Sequence, residues 1–474
     1  MAHHFANEFP SRLLMWQRVR EYAVPPSMIE TATARRAAGD WAGSCAAARI
    51  DVDLDLRAVR DRHGTDLVHR LRADLRRLSP DLLRWHMPRI APDGRLRPGL
   101  TLSLARYRSS GDLPLELVVR TPPAWADAGQ RISLALWEGS ANGAPRHHPH
   151  PHPDRRFRLD LHRHLWDAGR SGELARRCGV HGAPSAAPPD LPAVTDAPWA
   201  VGRWAAEAEL LLRAEGRRPR GAFAVRLGAR SRAVLELVAP DDSHAPAFRP
   251  LREALPPQEA AALPVLPEAA ARVLPDLELL RAGLVAAERL HPLVAAALPV
   301  SGPAPVAGPA AEPGDPHRVE CRGEVHRIAL RDGVLTAVDH DPAELRREEL
   351  LVALGGPALP CLRAIDAVHR TPEALPAVRE RLRHGDIAGA LAVVEGLLGP
   401  AAVLRDGPLR EELESAAERR VDHGLFRSGL VAVHPAAGRE HAEADHRPRL
   451  DRRTPLVMRR KRAGRGRPRT GLTR

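Results

Sequence analysis

Four histidine and cysteine residues near the middle of the chain have side chains that zinc accepts as ligands. His162 and His164 form an HxH pair, and Cys178 and His181 form a CxxH pair shortly after it. Imidazole nitrogens and thiolate sulfurs are the usual zinc ligands in proteins, so this set is a candidate metal site.

A structural interpretation of the same residues competes with the metal site. Apolar residues alternate through Phe157, Leu159 and Leu161, which predicts a strand whose opposite face meets solvent. That wetter face carries Arg158, Asp160, His162 and His164. Isolated His and Cys spacings are weak evidence in a chain with 23 histidines. We therefore expect no metal ligands and no cofactor, with the thiol of Cys178 packed in a core.

A second candidate is a histidine and a carboxylate in a predicted hairpin. Asp332-Gly333 suits a two-residue turn, and the register of that turn places His326 across from Asp339. A carboxylate beside an imidazole can orient a general base. The alternative is an ion pair on the surface of the hairpin, which the sequence favours because such pairs are common and weak. No catalytic residue is predicted.

Other chemistries have little support. The segment HHPHPHP at 147–153 can bind transition metals weakly, but a proline-rich linker is the favoured interpretation. Lys461 is the one lysine of the chain and lies in an arginine run, which excludes a P-loop and a protein-kinase strand lysine. GxSxG and HExxH motifs are also absent from the sequence.

The elements that must position these residues differ between the two halves of the chain. All eight tryptophans and both tyrosines precede residue 205, so the front half can build cores from large rings and the back half depends on Leu, Val and Ala. Helical spacing of Leu67, Leu71, Leu75 and Leu78 predicts an amphipathic helix, and SMIE suggests a helix start with Ser27 as the N-cap. From about residue 98 the hydrophobic period changes to two, which predicts an antiparallel meander.

These patterns predict an α+β protein of several domains, with helical N- and C-terminal regions around antiparallel β segments and a disordered basic C-terminal tail. The expected boundaries are a helical region at 1–92, a β meander plus helix at 93–181, a linker at 182–198, a mixed α/β region at 199–298, a Pro/Gly/Ala linker at 299–316, a β-hairpin followed by helices at 317–430, and the tail at 431–474.

Two segments share a basic helix, a Gly-Asp corner and a second helix rich in small residues. They are TARRAAGDWAGSCAAARI and RERLRHGDIAGALAVVEGLL. Each resembles one helical hairpin of the tetratricopeptide type. A solenoid needs several consecutive repeats, and these two are far apart in the chain, so we expect isolated hairpins with a packing role.

The positive charge of the chain is concentrated at its C-terminal end. The formal net charge is +12, and residues 452–474 hold ten basic residues and no acidic residue, which leaves 12 − 10 = +2 for the rest. We call residues 452–474 the basic tail. A dense cluster of positive charges of this kind predicts contact with a polyanion, which is DNA, RNA or an acidic protein surface.

Within the basic tail, RGRP resembles the core of an AT-hook. The resemblance implies that Arg465 and Arg467 lie along the minor groove, that Gly466 allows close approach and that Pro468 keeps the segment extended. The basic residues expected to pair with phosphates are Arg459, Arg460, Lys461, Arg462 and Arg469. The alternative is that RGRP arises from the arginine-rich composition alone.

The segment FANEFPSRLLMWQRVREYAVPPSMIETATARRAAGDWAG resembles a family of hypothetical proteins from high-GC actinobacteria, which implies a cytoplasmic location. We expect a non-enzymatic interaction or scaffold protein whose tail contacts nucleic acid, with DNA or RNA undecided. Protein partners are a further option, and no membrane association is expected. The alternative function is a metal- or His/Asp-assisted hydrolase with a basic accessory tail.

Overall fold

The computed structural model describes residues 11–107, 115–139, 152–179, 199–217, 221–228, 231–238, 246–251, 255–298, 318–331, 334–370, 375–398 and 406–428. The chain forms two compact units. Unit 1 contains Met1–Pro123 and Arg131–Pro305, and unit 2 contains Ala124–Gln130 and Val306–Arg474. The change of unit at residue 305 falls in the predicted 299–316 linker, which lies outside the described residues. The finer domain boundaries stay a prediction.

Helices supply most of the regular structure of unit 1. In chain order they are α1 (Ser11–Tyr22), α2 (Pro26–Ala37), α3 (Trp41–Ala47), α4 (Leu56–His63), α5 (Thr65–Arg77), α6 (Pro80–Trp85), α7 (Leu174–Cys178), α8 (Trp204–Ala214), α9 (Pro257–Ala262), α10 (Glu268–Ala271), α11 (Pro275–Arg281) and α12 (Pro292–Ala297). The leucines that the sequence predicts on one face of α5 are all buried: Leu67, Leu71, Leu75 and the C-cap Leu78. The predicted N-cap of α2 is wrong, because the helix begins at Pro26 and Ser27 lies in its first turn.

Unit 1 also contains short strands. They are β1 (Ile50–Asp53), β2 (Arg89–Ile90), β3 (Arg95–Leu96), β4 (Thr101–Tyr107), β5 (Leu115–Arg120), β6 (Ile132–Trp137), β7 (Gly221–Arg226), β8 (Arg232–Val238) and β9 (Ala247–Pro250). Strands β4, β5 and β6 form the predicted antiparallel meander. The region predicted to be helical adds β1, which pairs in parallel with β6 and extends the sheet to the order β1-β6-β5-β4. That part of the prediction was incomplete.

Large rings organise the two cores of unit 1. The first core joins α5 and α6 to the four-stranded sheet and encloses Trp85 and Trp166, both almost fully buried. The second core lies between α8 and the antiparallel sheet β7-β8-β9, where Trp204 packs with Phe223. Each fully buried aromatic side chain removes a large apolar area from water.

Unit 2 begins with a three-stranded antiparallel sheet. Strands β10 (Arg318–Cys321), β11 (Glu324–Arg331) and β12 (Val334–Ala337) are consecutive in the chain. Pairing of Arg331 with Val334 confirms the predicted two-residue connection between β11 and β12. Helices α13 (Pro342–Ala353) and α14 (Pro360–Arg370) follow, and a small core joins them to the sheet.

The remaining helices of unit 2 are α15 (Leu375–Arg383), α16 (Ile387–Leu398) and α17 (Pro408–Arg427). Helices α15 and α16 form the second predicted helical hairpin, as α2 and α3 form the first. In both hairpins an aspartate at the corner caps the second helix: Asp40 accepts from the Gly43 amide and Asp386 from the Gly389 amide. The segment 124–130 packs on α17, where the rings of Trp125 and Phe426 lie 5.8 Å apart.

The described part of the chain is thus α+β, with helices towards both of its ends and small sheets between them, as the sequence predicts. The predicted tail at 431–474 lies outside the described residues. None of the described helices combines the length and the apolar content that crossing a bilayer requires.

Candidate metal centre

Unit 2 brings together two cysteines and one histidine that are distant in the sequence. One ligand atom from each of Cys321, His340 and Cys361 lies within 4.8 Å of the other two. All three residues are buried; His340, the most exposed of them, is 8% exposed. The cluster is the one group of three or more potential metal ligands found among the described residues.

Three separate elements position these side chains. Cys321 is the last residue of β10 and pairs with Glu324 across a tight turn, which Arg322 and Gly323 form with positive φ angles. His340 follows β12, and Cys361 is the second residue of α14. The cluster therefore lies where the hairpin meets the helix.

Helix α13 begins directly after His340 and fixes that part of the backbone. The carboxylate of Asp341 accepts a hydrogen bond from the Ala343 amide at 3.1 Å, and Pro342 occupies the first helical turn. Asp341 is therefore the N-cap of α13. Glu344, in the first turn of the helix, pairs with Arg322.

The two histidines of the hairpin region stack on each other. The rings of His326 and His340 have centroids 4.1 Å apart and planes 9° apart. Within the described part of the chain, His326 Nδ1 and His340 Nε2 are both buried and have no hydrogen-bond partner. Burying a polar atom without a partner destabilises a fold, so unpaired buried nitrogens beside two thiols point to a missing partner.

The thiol of Cys361 holds its proton strongly. Burial and the neighbouring Cys321 thiol raise the pKa of Cys361 to about 11. Cys321 and Cys361 are free cysteines. Two thiols and an imidazole form a ligand set that zinc accepts when the thiols lose their protons.

The predicted set in unit 1 does not form a metal site among the described residues. Both ring nitrogens of His162 face acceptors: Nδ1 lies 3.0 Å from the Arg158 carbonyl oxygen and Nε2 lies 3.2 Å from Glu207 Oε2. Cys178 is buried, and burial raises the pKa of its thiol to about 12. His181 lies outside the described residues.

The solvent-facing strand predicted around the HxH pair was wrong. Residues 154–162 are mainly turns, and a short 3₁₀ helix at Arg163–Leu165 contains His164. Arg158, His162 and His164 are all at most 3% exposed. Glu207 from α8 provides a buried partner for His162, and it also accepts hydrogen bonds from Arg177 and Arg203. Burial alone would raise the pKa of Glu207, but these partners lower it below its usual range.

The predicted pair of His326 and Asp339 also has a different geometry. The backbone amide and the guanidinium of Arg327 both donate to the Asp339 carboxylate, at distances down to 2.7 Å and 2.8 Å. Arg327 lowers the pKa of Asp339 to about 2. His326 lies instead against His340. The carboxylate therefore serves an exposed ion pair, which was the favoured alternative.

The other predicted residues lie largely outside the described part of the chain. Of the 147–153 segment only the last two residues are described, and the ring of His152 lies 6.2 Å from that of Trp137. The predicted nucleic-acid-binding residues, from Arg459 to Arg469, also lie outside it.

Sequence reasoning missed the Cys321, His340 and Cys361 cluster. These residues are about twenty positions apart in the chain, whereas common zinc motifs place cysteines two to four residues apart. Comparison of the chain with protein-family models, with curated proteins and with solved structures finds no match.

Proposed function

We propose that this chain is a cytoplasmic, non-enzymatic interaction protein whose basic tail contacts nucleic acid. The observation that carries the proposal is the distribution of charge. Ten of the chain's 71 basic residues lie in residues 452–474 without an acidic residue, and the rest of the chain has a net charge of +2. Long-range attraction for a polyanion therefore belongs to the tail.

The salt dependence of binding follows from the same charge. Each phosphate that an arginine neutralises releases condensed counterion, and log affinity falls by about 0.9 per phosphate for each unit of log salt. A tail that neutralises several phosphates must therefore lose affinity steeply as salt increases. The RGRP segment adds a preference for the narrow minor groove of AT-rich DNA, where inserted arginine is favoured.

The contacts of the candidate general bases, His162 and the Asp339 pair, also bear on the choice between this proposal and a hydrolase. Asp339 is held by Arg327, and His162 binds Glu207 and a backbone carbonyl. A general base needs a free lone pair that faces a substrate. Neither group offers one in these arrangements, so their contacts do not support a hydrolase that uses His162 or Asp339 as its general base.

Truncation tests the proposal directly. Fluorescence anisotropy would compare the full chain with a chain lacking residues 452–474, on a labelled DNA duplex and on a labelled RNA strand, over a series of salt concentrations. We expect the truncated chain to lose most of the binding and to keep its circular dichroism spectrum and thermal transition. Equal binding by the two chains at low salt would refute the assignment.

Two matched variants separate the interpretations of RGRP. If the motif enters the groove, Arg467→Ala reduces the preference for AT-rich over GC-rich duplexes more than Arg459→Ala does. If the tail is a diffuse polycation, the two variants lose affinity about equally on both duplexes. The second result would leave nucleic-acid contact intact and remove the AT-hook interpretation.

A further inference from the structure

We propose that Cys321, His340 and Cys361 bind a zinc ion in unit 2. This site is independent of the basic tail and of the residues that the sequence singled out. It replaces the sequence-based expectation of a protein without a metal.

The spacing of the three ligand atoms suits a zinc ion. When three atoms lie within 4.8 Å of one another, a point exists that is at most about 2.8 Å from each of them, compared with about 2.3 Å for a zinc–sulfur bond and 2.0 Å for a zinc–nitrogen bond. Side-chain movements of less than about 1 Å therefore complete the coordination. No backbone rearrangement is required.

The chemistry of the ligands selects the metal class. Thiolate sulfur is a soft ligand that magnesium and calcium do not favour, and two thiolates with an imidazole are typical of zinc. Two thiolates also neutralise the charge of a divalent ion. A neutral complex can remain in a buried position, whereas an isolated ion there would be strongly destabilised.

A second, independent observation also points to a bound metal ion. His340 is 92% buried, and within the described residues its Nε2 has no hydrogen-bond partner. Buried polar atoms are paired in nearly all folded proteins, and binding of a metal ion is one of the usual reasons for an exception. Stacking on His326 holds the imidazole in place beside the two sulfurs.

The site lies at a junction that a metal would strengthen. It joins the end of β10, the turn after β12 and the first turn of α14. Its three protein ligands leave the fourth tetrahedral position to a water molecule. His326 stacks on a ligand and is a positioning residue, not a ligand.

Elemental analysis of the full-length chain tests the proposal. The protein would be purified with a thiol reductant and without chelators, from cells grown with added zinc. We expect about one zinc per chain. Cys361→Ser and His340→Ala should each lose most of it, since two remaining ligands bind zinc weakly.

The matched control is Cys178→Ser, which removes another buried cysteine of the chain. We expect this variant to keep its zinc. Zinc lost in Cys178→Ser and kept in Cys361→Ser would assign the metal to the His162 region and overturn the proposal. His326→Gln should also keep stoichiometric zinc, and its loss there would overturn the assignment of three protein ligands.

The wild-type protein provides a test that does not depend on whether the variants fold. Replacing zinc with cobalt should give the strong visible absorption of a tetrahedral site and a thiolate charge-transfer band. Wild-type protein that contains no zinc and gives no such bands, that contains copper instead, or that has a disulfide between Cys321 and Cys361 under reducing purification, would refute the proposal. Removing residues 452–474 should leave the zinc content unchanged, so the zinc site and the nucleic-acid assignment can fail separately.

Discussion

Replacing Asp276 with alanine should destabilise unit 1 more than most single substitutions in the chain. The Asp276 carboxylate is fully buried and accepts hydrogen bonds from Arg20 Nε at 2.9 Å, Arg20 Nη2 at 2.7 Å and Trp85 Nε1 at 2.9 Å. It therefore connects α1, α6 and α11. Burial alone would raise the pKa of Asp276, but Arg20, His86 and the indole N–H of Trp85 together lower it, so the carboxylate is ionised at neutral pH.

The magnitude follows from what the substitution leaves behind. The Arg20 side chain is 2% exposed. Without Asp276 its guanidinium still donates to the Trp85 carbonyl oxygen at 2.7 Å, but it has lost its carboxylate partner. Removing one partner of a buried ion pair costs about 3–5 kcal/mol, because the other charge stays buried without compensation. A typical domain is stable by about 5–15 kcal/mol, so this loss would be a large part of the total.

Urea unfolding followed by tryptophan fluorescence measures the effect. Seven of the eight tryptophans belong to unit 1, and only Trp125 lies in unit 2, so the signal reports mainly on unit 1. The matched control is Asp61→Ala, which removes an aspartate paired with Arg60 on the surface, where both side chains are more than half exposed. We expect the control to change stability by less than about 0.5 kcal/mol. An Asp276→Ala protein within about 1 kcal/mol of wild type would refute the argument from the buried pair.

Three further results are expected. Gly39 and Gly385 have φ angles of 77° and 81°, but a Cβ at Gly39 meets nothing within 4 Å, whereas at Gly385 it would lie 2.2 Å from the Gly129 carbonyl oxygen. Thermal unfolding should therefore show a loss of about 1–2 kcal/mol for Gly39→Ala and of several kcal/mol for Gly385→Ala, and equal losses would contradict the close approach. Because the pKa of Glu207 in the folded protein is below its ordinary value of 4.5, the ionised carboxylate stabilises the fold at pH values above 4.5. This stabilisation is lost as the pH falls below 4.5. The stability difference between wild type and Glu207→Gln, measured by urea unfolding, should thus shrink below about pH 4.5, and a constant difference would contradict the assigned shift. Removing zinc with a chelator should increase the rate of amide hydrogen exchange in α13 and α14 and leave the rate in α5 unchanged. If the exchange rates in α13 and α14 are the same before and after zinc removal, the metal does not stabilise these helices.

Features that depend on neighbouring residues could be predicted from the sequence. The Asp332-Gly333 turn gave the register of β11 and β12, and Asp341, directly before Pro342, is a residue of the type that caps a helix. Turn geometry and capping are decided by a few adjacent residues, so the sequence contains the necessary information. The leucine stripe of α5 was predicted for the same reason, because one helix turn brings these residues to one face.

Features that depend on distant partners could not be predicted in this way. Ile50–Asp53 becomes a strand because β6 offers it an edge, and the four residues show no pattern that separates them from the surrounding helices. The HxH pair was assigned to solvent because polar residues alternated with apolar ones. Glu207 reverses that assignment, since a carboxylate from α8 supplies the partner that allows His162 to be buried.

The cluster of Cys321, His340 and Cys361 also depends on distant residues, and the composition of the core around it explains why unit 2 would need a metal ion. The small core formed by its sheet, α13 and α14 contains Cys321, Ala337, Leu345, Leu359 and Cys361, with no aromatic residue among them. Short aliphatic and thiol side chains bury little apolar area, and small cores of this kind are often supplemented by a metal or by disulfides. The scarcity of aromatic residues after residue 205, which is visible in the sequence, therefore predicts that this part of the chain requires another source of stability. The structure places two cysteines and an unpaired histidine nitrogen at that position, where binding one ion would join the hairpin to α14.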